Sequence, residues 1–144
     1  MPPFASVLTF VADGASIDVM TGRVSAFNLL EEVAALKAPA FLARLAVVNV
    51  YTLAAAETYD AFHDRVRILS PSGETLISSN TTRIAPVRPH YSSVHIFAPL
   101  IVPALGPHRI VAEWSPDSTT WEQCSEHRLL ISEGPPYPVL KQPQ

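Results

Sequence analysis

FHDRVRIL, residues 62–69, alternates without a break: Phe62, Asp64, Val66 and Ile68 fall on one side, and His63, Arg65, Arg67 and Leu69 on the other. A period of two is the pleat of a β-strand. Pro71-Ser72-Gly73 follows. Proline presets φ there and glycine accepts a positive φ, so Glu74 to Ser79 reads as the return arm of a hairpin. Upstream, Leu42 to Leu53 (LARLAVVNVYTL) is long and rich in β-branched residues, the mark of a central strand covered on both faces. Downstream, Tyr91 to Leu100 is a further extended run. His108 to Ser115 then sets Ile110, Ala112 and Trp114 against Arg109, Val111 and Glu113. Pro116-Asp117-Ser118 turns the chain into Trp121 to Ser132. At the start, Phe4 to Ala12 runs into the turn dipeptide Asp13-Gly14, and Arg23 to Leu30 follows a second turn signal, Thr21-Gly22.

Fourteen prolines against five glycines punctuate these runs. Proline ends helices and cannot donate to a ladder, so such spacing suits short strands and turns. The expectation is one all-β domain over residues 1–133, an antiparallel sandwich of about eight strands, immunoglobulin-like or C2-like. Residues 134–144 carry four prolines without periodicity and read as a tail. One segment dissents. Asn28 to Ala38 (NLLEEVAALKA) consists of helix formers, with Asn28 and Glu31 in capping-box spacing and Pro39 as a stop, and predicts a short helix or helical turn near residues 29–38.

Composition narrows the function classes. Of 144 residues, 48% are apolar and 16% charged, which excludes intrinsic disorder. Thirteen acidic against ten basic residues give a net charge of −3, without the basic field of a nucleic-acid binder. No apolar run approaches the ~20 residues of a membrane span, and no charged segment leads into an apolar one as in a secretory signal. The single cysteine, Cys124, excludes an intramolecular disulfide and suits a reducing compartment, so a cytoplasmic location is expected.

Several stretches occur in a recognisable order: FVADGASIDVMTGRVSAFNLLEEV with PAF at residues 39–41, then VRILSPSGE at 66–74, then LGPHRIVAEW at 105–114. Together they resemble an uncharacterised bacterial family of small stand-alone β-sandwich proteins, a domain of unknown function. The likeness covers most of residues 4–132 and lapses at Ala54 to Tyr59 and in the tail. It implies a fold and supplies no catalytic or binding residues.

No motif concentrates chemistry. His63, His90, His95, His108 and His127 form no H-x-H, H-E-x-x-H or C-x-x-C pattern with their neighbours, so they read as half-exposed strand histidines, with neither metal nor cofactor expected. His63, Asp64 and Ser70 or Ser72 supply the residue types of a hydrolytic triad, yet His63 and Asp64 point to opposite faces of their strand. Cys124 reads as a buried structural thiol. Trp114 belongs to the core and Trp121 to the surface. Arg83 to Phe97 (RIAPVRPHYSSVHIF) is the one unusual stretch. The pleat places Tyr91, Ser93, His95 and Phe97 on one face, opposite Ser92, Val94 and Ile96. Arg83, Arg88, His90, Tyr91, His95 and Phe97, with Trp121, are therefore the candidate interaction surface. The plainer alternative is an edge strand guarded by prolines and positive charge. The expected function is non-catalytic: an interaction or self-association module, with a protein partner or second copy and no nucleic acid or membrane. The alternative is a small-ligand or carbohydrate-binding sandwich using Trp121 and Tyr91, ahead of a hydrolase or metalloenzyme.

Overall fold

A computed structural model describes residues 2–134; the rest of the proline-rich tail lies outside the described residues. Every described element is a strand. They are β1 (Ser6–Ile17), β2 (Val24–Leu29), β3 (Glu32–Ala35), β4 (Ala40–Leu42), β5 (Leu45–Thr52) and β6 (Phe62–Leu69), followed by β7 (Thr75–Ser78), β8 (Thr82–Ile84), β9 (His90–Phe97), β10 (Leu100–Val102), β11 (Gly106–Ser115) and β12 (Glu122–Glu133). One sheet has the order β2-β1-β5-β9. The other has the order β3-β12-β11-β6-β7, with β8 also on β6, and β4 pairs with β10. All pairings are antiparallel except that of β12 with β3. Twelve strands replace the expected eight because four short ones, β3, β4, β8 and β10, occupy segments that read as a helix or as connections.

The two large sheets face each other across a shared interior. Val11, Leu45, Val47 and Phe97 of the first meet Val66, Ile68, Ile110, Leu129 and Ile131 of the second in one apolar cluster. Phe4, Tyr51, Leu53, Phe62, Ile84 and Trp114 form another. Phe4 anchors the second cluster, with ring centroids 5.0 Å from Tyr51, 5.3 Å from Phe62 and 5.9 Å from Trp114, separations at which tilted aromatic pairs attract. The β6–β7 hairpin forms as expected around Gly73 at φ 92°.

Two local expectations are corrected. Asp13-Gly14 is not a turn: β1 continues through it, and Gly14 pairs with Phe27. The chain reverses at Asp18–Gly22, where Asp18 Oδ1 accepts from the Met20 amide at 2.8 Å and Gly22 adopts φ 70°, an Asx-turn held by its own side chain. The predicted helix is absent as well. Asn28 sits at φ 54° and donates its amide to Asp13 Oδ2 at 3.1 Å instead of capping. The Leu30 amide bonds the Val11 carbonyl, the Leu130 amide bonds the Glu31 carbonyl, and β3 pairs with β12. Helix propensity amounts to a few tenths of a kcal/mol per residue. Sheet pairing, with Leu30, Val33 and Ala35 packed on the core, outweighs it.

Candidate functional site

A belt of polar side chains crosses the interior between the two apolar clusters. On β5 the inward order is Val47, Asn49, Tyr51; on β6 it is Phe62, Asp64, Val66; on β9 it is Tyr91, Ser93, His95, Phe97. Asn49 and Asp64 are wholly buried, and Thr9, Ser93 and His95 nearly so. Asp64 is the hub. Its Oδ2 accepts from Tyr51 OH at 2.9 Å, from Asn49 Nδ2 at 3.3 Å and from Ser93 Oγ. Thr9 Oγ1 in turn donates to Asn49 Oδ1 at 2.9 Å. His95 Nε2 lies 3.2 Å from Asp64 Oδ1, within ion-pair range but at an angle that leaves Oδ1 without a directed hydrogen bond. Burial alone would raise the Asp64 carboxyl. The contact and charge of His95, with the Ser93 and Tyr51 hydroxyls, outweigh it and hold the group below its usual value. The Tyr51 hydroxyl is driven strongly upward by burial and then by the Asp64 charge.

Asp64, His95 and Ser93 are the residue types of a nucleophilic triad, yet the geometry is not that of a relay. A relay uses one imidazole nitrogen for the carboxylate and the other for the hydroxyl. Here the same Nε2 faces both, with Ser93 Oγ at a long 3.5 Å, and Ser93 gives its proton directly to Asp64. These contacts cross-link β1, β5, β6 and β9.

The other histidines do not gather. His108 Nδ1 meets the Gly106 carbonyl and His127 Nε2 the Leu30 carbonyl, each at 2.9 Å. The expectation of half-exposed strand histidines fails for two: His95 is 5% exposed and His108 1%. Among the described residues, no group of three His, Cys, Asp or Glu is placed to hold a metal ion. Cys124 is partly buried, with Sγ 3.5 Å from the Ala112 carbonyl. Burial, then the Asp64 charge, pushes its thiol up to about 12, opposite to the shift of a reactive cysteine.

The seven candidate surface residues divide. Arg83 and His90 are exposed. Arg88, also exposed, donates to the Thr21 carbonyl of the β1–β2 turn. Trp121 is half-buried beneath the Arg65 guanidinium, 4.2 Å from its ring centroid. Tyr91, half-buried, packs on the aromatic cluster. His95 and Phe97 are buried, so the seven do not make one surface. Tyr91, Ser93, His95 and Phe97 do share a face, but it is the one turned toward the other sheet. The opposite face, Ser92, Val94 and Ile96, points outward.

That inversion extends across the whole four-stranded sheet. Register places Leu8 beside Val50 and Ser92, and Phe10 beside Val48 and Val94. The next rows are Leu29, Ala12, Ala46 and Ile96, then Phe27 and Gly14. Leu8, Phe10, Phe27, Leu29 and Ile96 are 59%, 37%, 53%, 64% and 48% exposed. The last row also carries a charge: the exposed Arg44 guanidinium lies over the bare Cα of Gly14 and donates to the Asp13 carbonyl at 2.8 Å. Between the five apolar side chains Ala12, Ala46 and Val48 are buried, at 0%, 0% and 3% exposed, so the exposed apolar surface consists of the five protruding side chains around a covered centre.

Elsewhere, an open cleft of about 620 Å³ is lined by Pro3, Asp60, Ala61, Trp114, Pro116, Thr120 and Glu122. It includes neither Trp121 nor Tyr91. Among the described residues, no helix is long and apolar enough to cross a membrane. Compared with known proteins, the chain matches no family model and no curated sequence.

Proposed function

We propose that this chain is a non-catalytic β-sandwich module that associates with another protein surface through the outer face of the β2-β1-β5-β9 sheet. The observation that carries the reading is the group of five large apolar side chains, all more than one-third exposed, with one charge among their rows, the Arg44 guanidinium over Gly14. The core chemistry supports a structural rather than catalytic use of the buried carboxylate, since its hydroxyl and imidazole neighbours are spent on holding it. A bacterial, cytoplasmic setting and an immunoglobulin-like or C2-like subtype belong to the same proposal, supported by the single cysteine and by the two facing, mostly antiparallel sheets.

A photo-crosslinking amino acid placed at Leu8 or Leu29, with the protein expressed in its host, tests the reading. Position 87, where Val87 is 89% exposed in the loop before β9 and outside those rows, serves as control. Crosslinked protein at 8 and 29 in clear excess over 87 is expected. Equal or absent crosslinking at all three positions would remove the face as a docking surface.

A further inference from the structure

We propose that the free edge of β9 pairs with the β9 edge of a second copy, joining two four-stranded sheets into one sheet of eight. The inference does not depend on the outer face being a docking surface. β9 ends its sheet, and no described strand pairs with its outer side. All eight of its residues, His90–Phe97, match β5 without a register shift, so the edge is regular and free of a bulge. It contains no Lys, Arg, Asp, Glu or Pro. The residues that would guard it, Arg83, Pro86, Arg88 and Pro89, all precede the strand, and Pro99 follows it. An open groove of about 440 Å³, lined by Ser78, Ser79, Asn80 and Thr82 on one side and by 94–99 on the other, leaves the strand accessible from the side. A long, uncharged, regular edge is a template for another strand.

The occupant is a second copy because the edge is self-complementary. Antiparallel pairing of two identical strands is a two-fold operation, and every pairing already in this sheet is antiparallel. That operation sets each His90, the one titratable group at the edge besides the inward His95 and Tyr91, near the far end of the partner strand and away from its twin. Residues on the neighbouring β5 and across the groove add no charge beside it: β5 carries none, and Ser78, Ser79, Asn80 and Thr82 are neutral. A net charge of −3 opposes association only weakly. Pairing also sets the Val94 and Ile96 rows of the two copies side by side, extending one apolar face across both. The edge itself is only about 26 Å long and one sheet thick, so backbone hydrogen bonds rather than buried area hold the pair, and a Kd of about 1–100 µM is expected.

Sedimentation equilibrium of purified protein over that range, with hydrogen exchange at both ends of it, tests the proposal. A monomer–dimer equilibrium is expected, with the β9 amides directed away from β5 exchanging at least about tenfold more slowly in the dimer while β2 amides do not change. Ser92→Lys/Ile96→Lys, which charges the edge, should weaken the dimer at least tenfold, and Leu8→Glu, two strands away, should leave it intact. A monomer at every concentration overturns the proposal. So does a dimer whose β9 amides exchange as in the monomer. A dimer lost on Leu8→Glu, alone or together with the lysine variant, also overturns edge pairing, and it leaves the outer face, to which Ile96 belongs, as the association surface.

Discussion

Asp64 is the residue on which the interior turns. A wholly buried carboxylate is tolerated because three donors and an imidazole surround it, and removing it leaves those groups without water or partner. Asp64→Ala is therefore expected to cost about 3–5 kcal/mol, the range for breaking a buried pair, read from urea denaturation. Tyr51→Phe deletes one hydrogen bond to a charged group and should cost about 1.5–3 kcal/mol. The pH dependence has a definite sign. The Asp64 carboxyl is depressed in the folded state, so the unfolded chain binds more protons as its ordinary carboxylate range is entered from above. Stability should be full above that range and fall as pH drops through about 4 toward the depressed folded value; flat stability from pH 6 to 3 would contradict this. Cys124, with its thiol pushed up to about 12, should react with a disulfide reagent at pH 8 far more slowly in the folded protein than in urea. The alternation of residues 62–69 placed Asp64 on the stripe of Phe62, Val66 and Ile68, but nothing in the sequence marked it or Asn49 as a hub. Ser93 and His95 lie about 30 residues beyond Asp64, and only strand pairing brings them near.

At the scale of elements, β6 and the β6–β7 hairpin were legible because strict alternation and a Pro-Ser-Gly turn act over a few neighbouring residues. Gly73 at φ 92° has open space around its absent Cβ, so Gly73→Ala should cost about 1 kcal/mol through backbone conformation alone, measured by thermal unfolding. The segment 29–38 was misread because its helix-forming residues express a weak local preference. The pairing of β3 with β12, about 100 residues away in sequence, is not a local property. The polar belt also bears on strand register. Both faces of β5 are apolar (Ala46 and Val48 outward, Leu45 and Val47 inward), so hydrophobic pattern alone would tolerate a one-residue slip. A slip would expose Val47 and Tyr51 and strand Asn49 away from Asp64. The belt thus penalises the wrong register, a role polar groups in a core can fill.

At the scale of the molecule, the sheet of β2, β1, β5 and β9 carries its polar belt on the inner face, among Val11, Leu45, Val47 and Phe97, while Leu8, Phe10, Phe27, Leu29 and Ile96 stay exposed, and the proposed association uses those exposed side chains. If the outer face is a docking surface, Leu8→Glu should raise solubility and lower binding of an apolar dye without changing the free energy of unfolding by more than about 0.5 kcal/mol, the usual scale for surface substitutions. The amino-acid sequence by itself determined that the chain is built of short strands, which residues of each strand share a face, and that no local catalytic motif is present, because pleat, turn chemistry and motif spacing are properties of consecutive residues. Only the tertiary structure decided which face turns inward, that β9 is an edge, and that Asp64, Asn49, Ser93 and His95 meet. Those outcomes depend on which strands pair across long separations, and a period of two is satisfied equally well by either side of the strand.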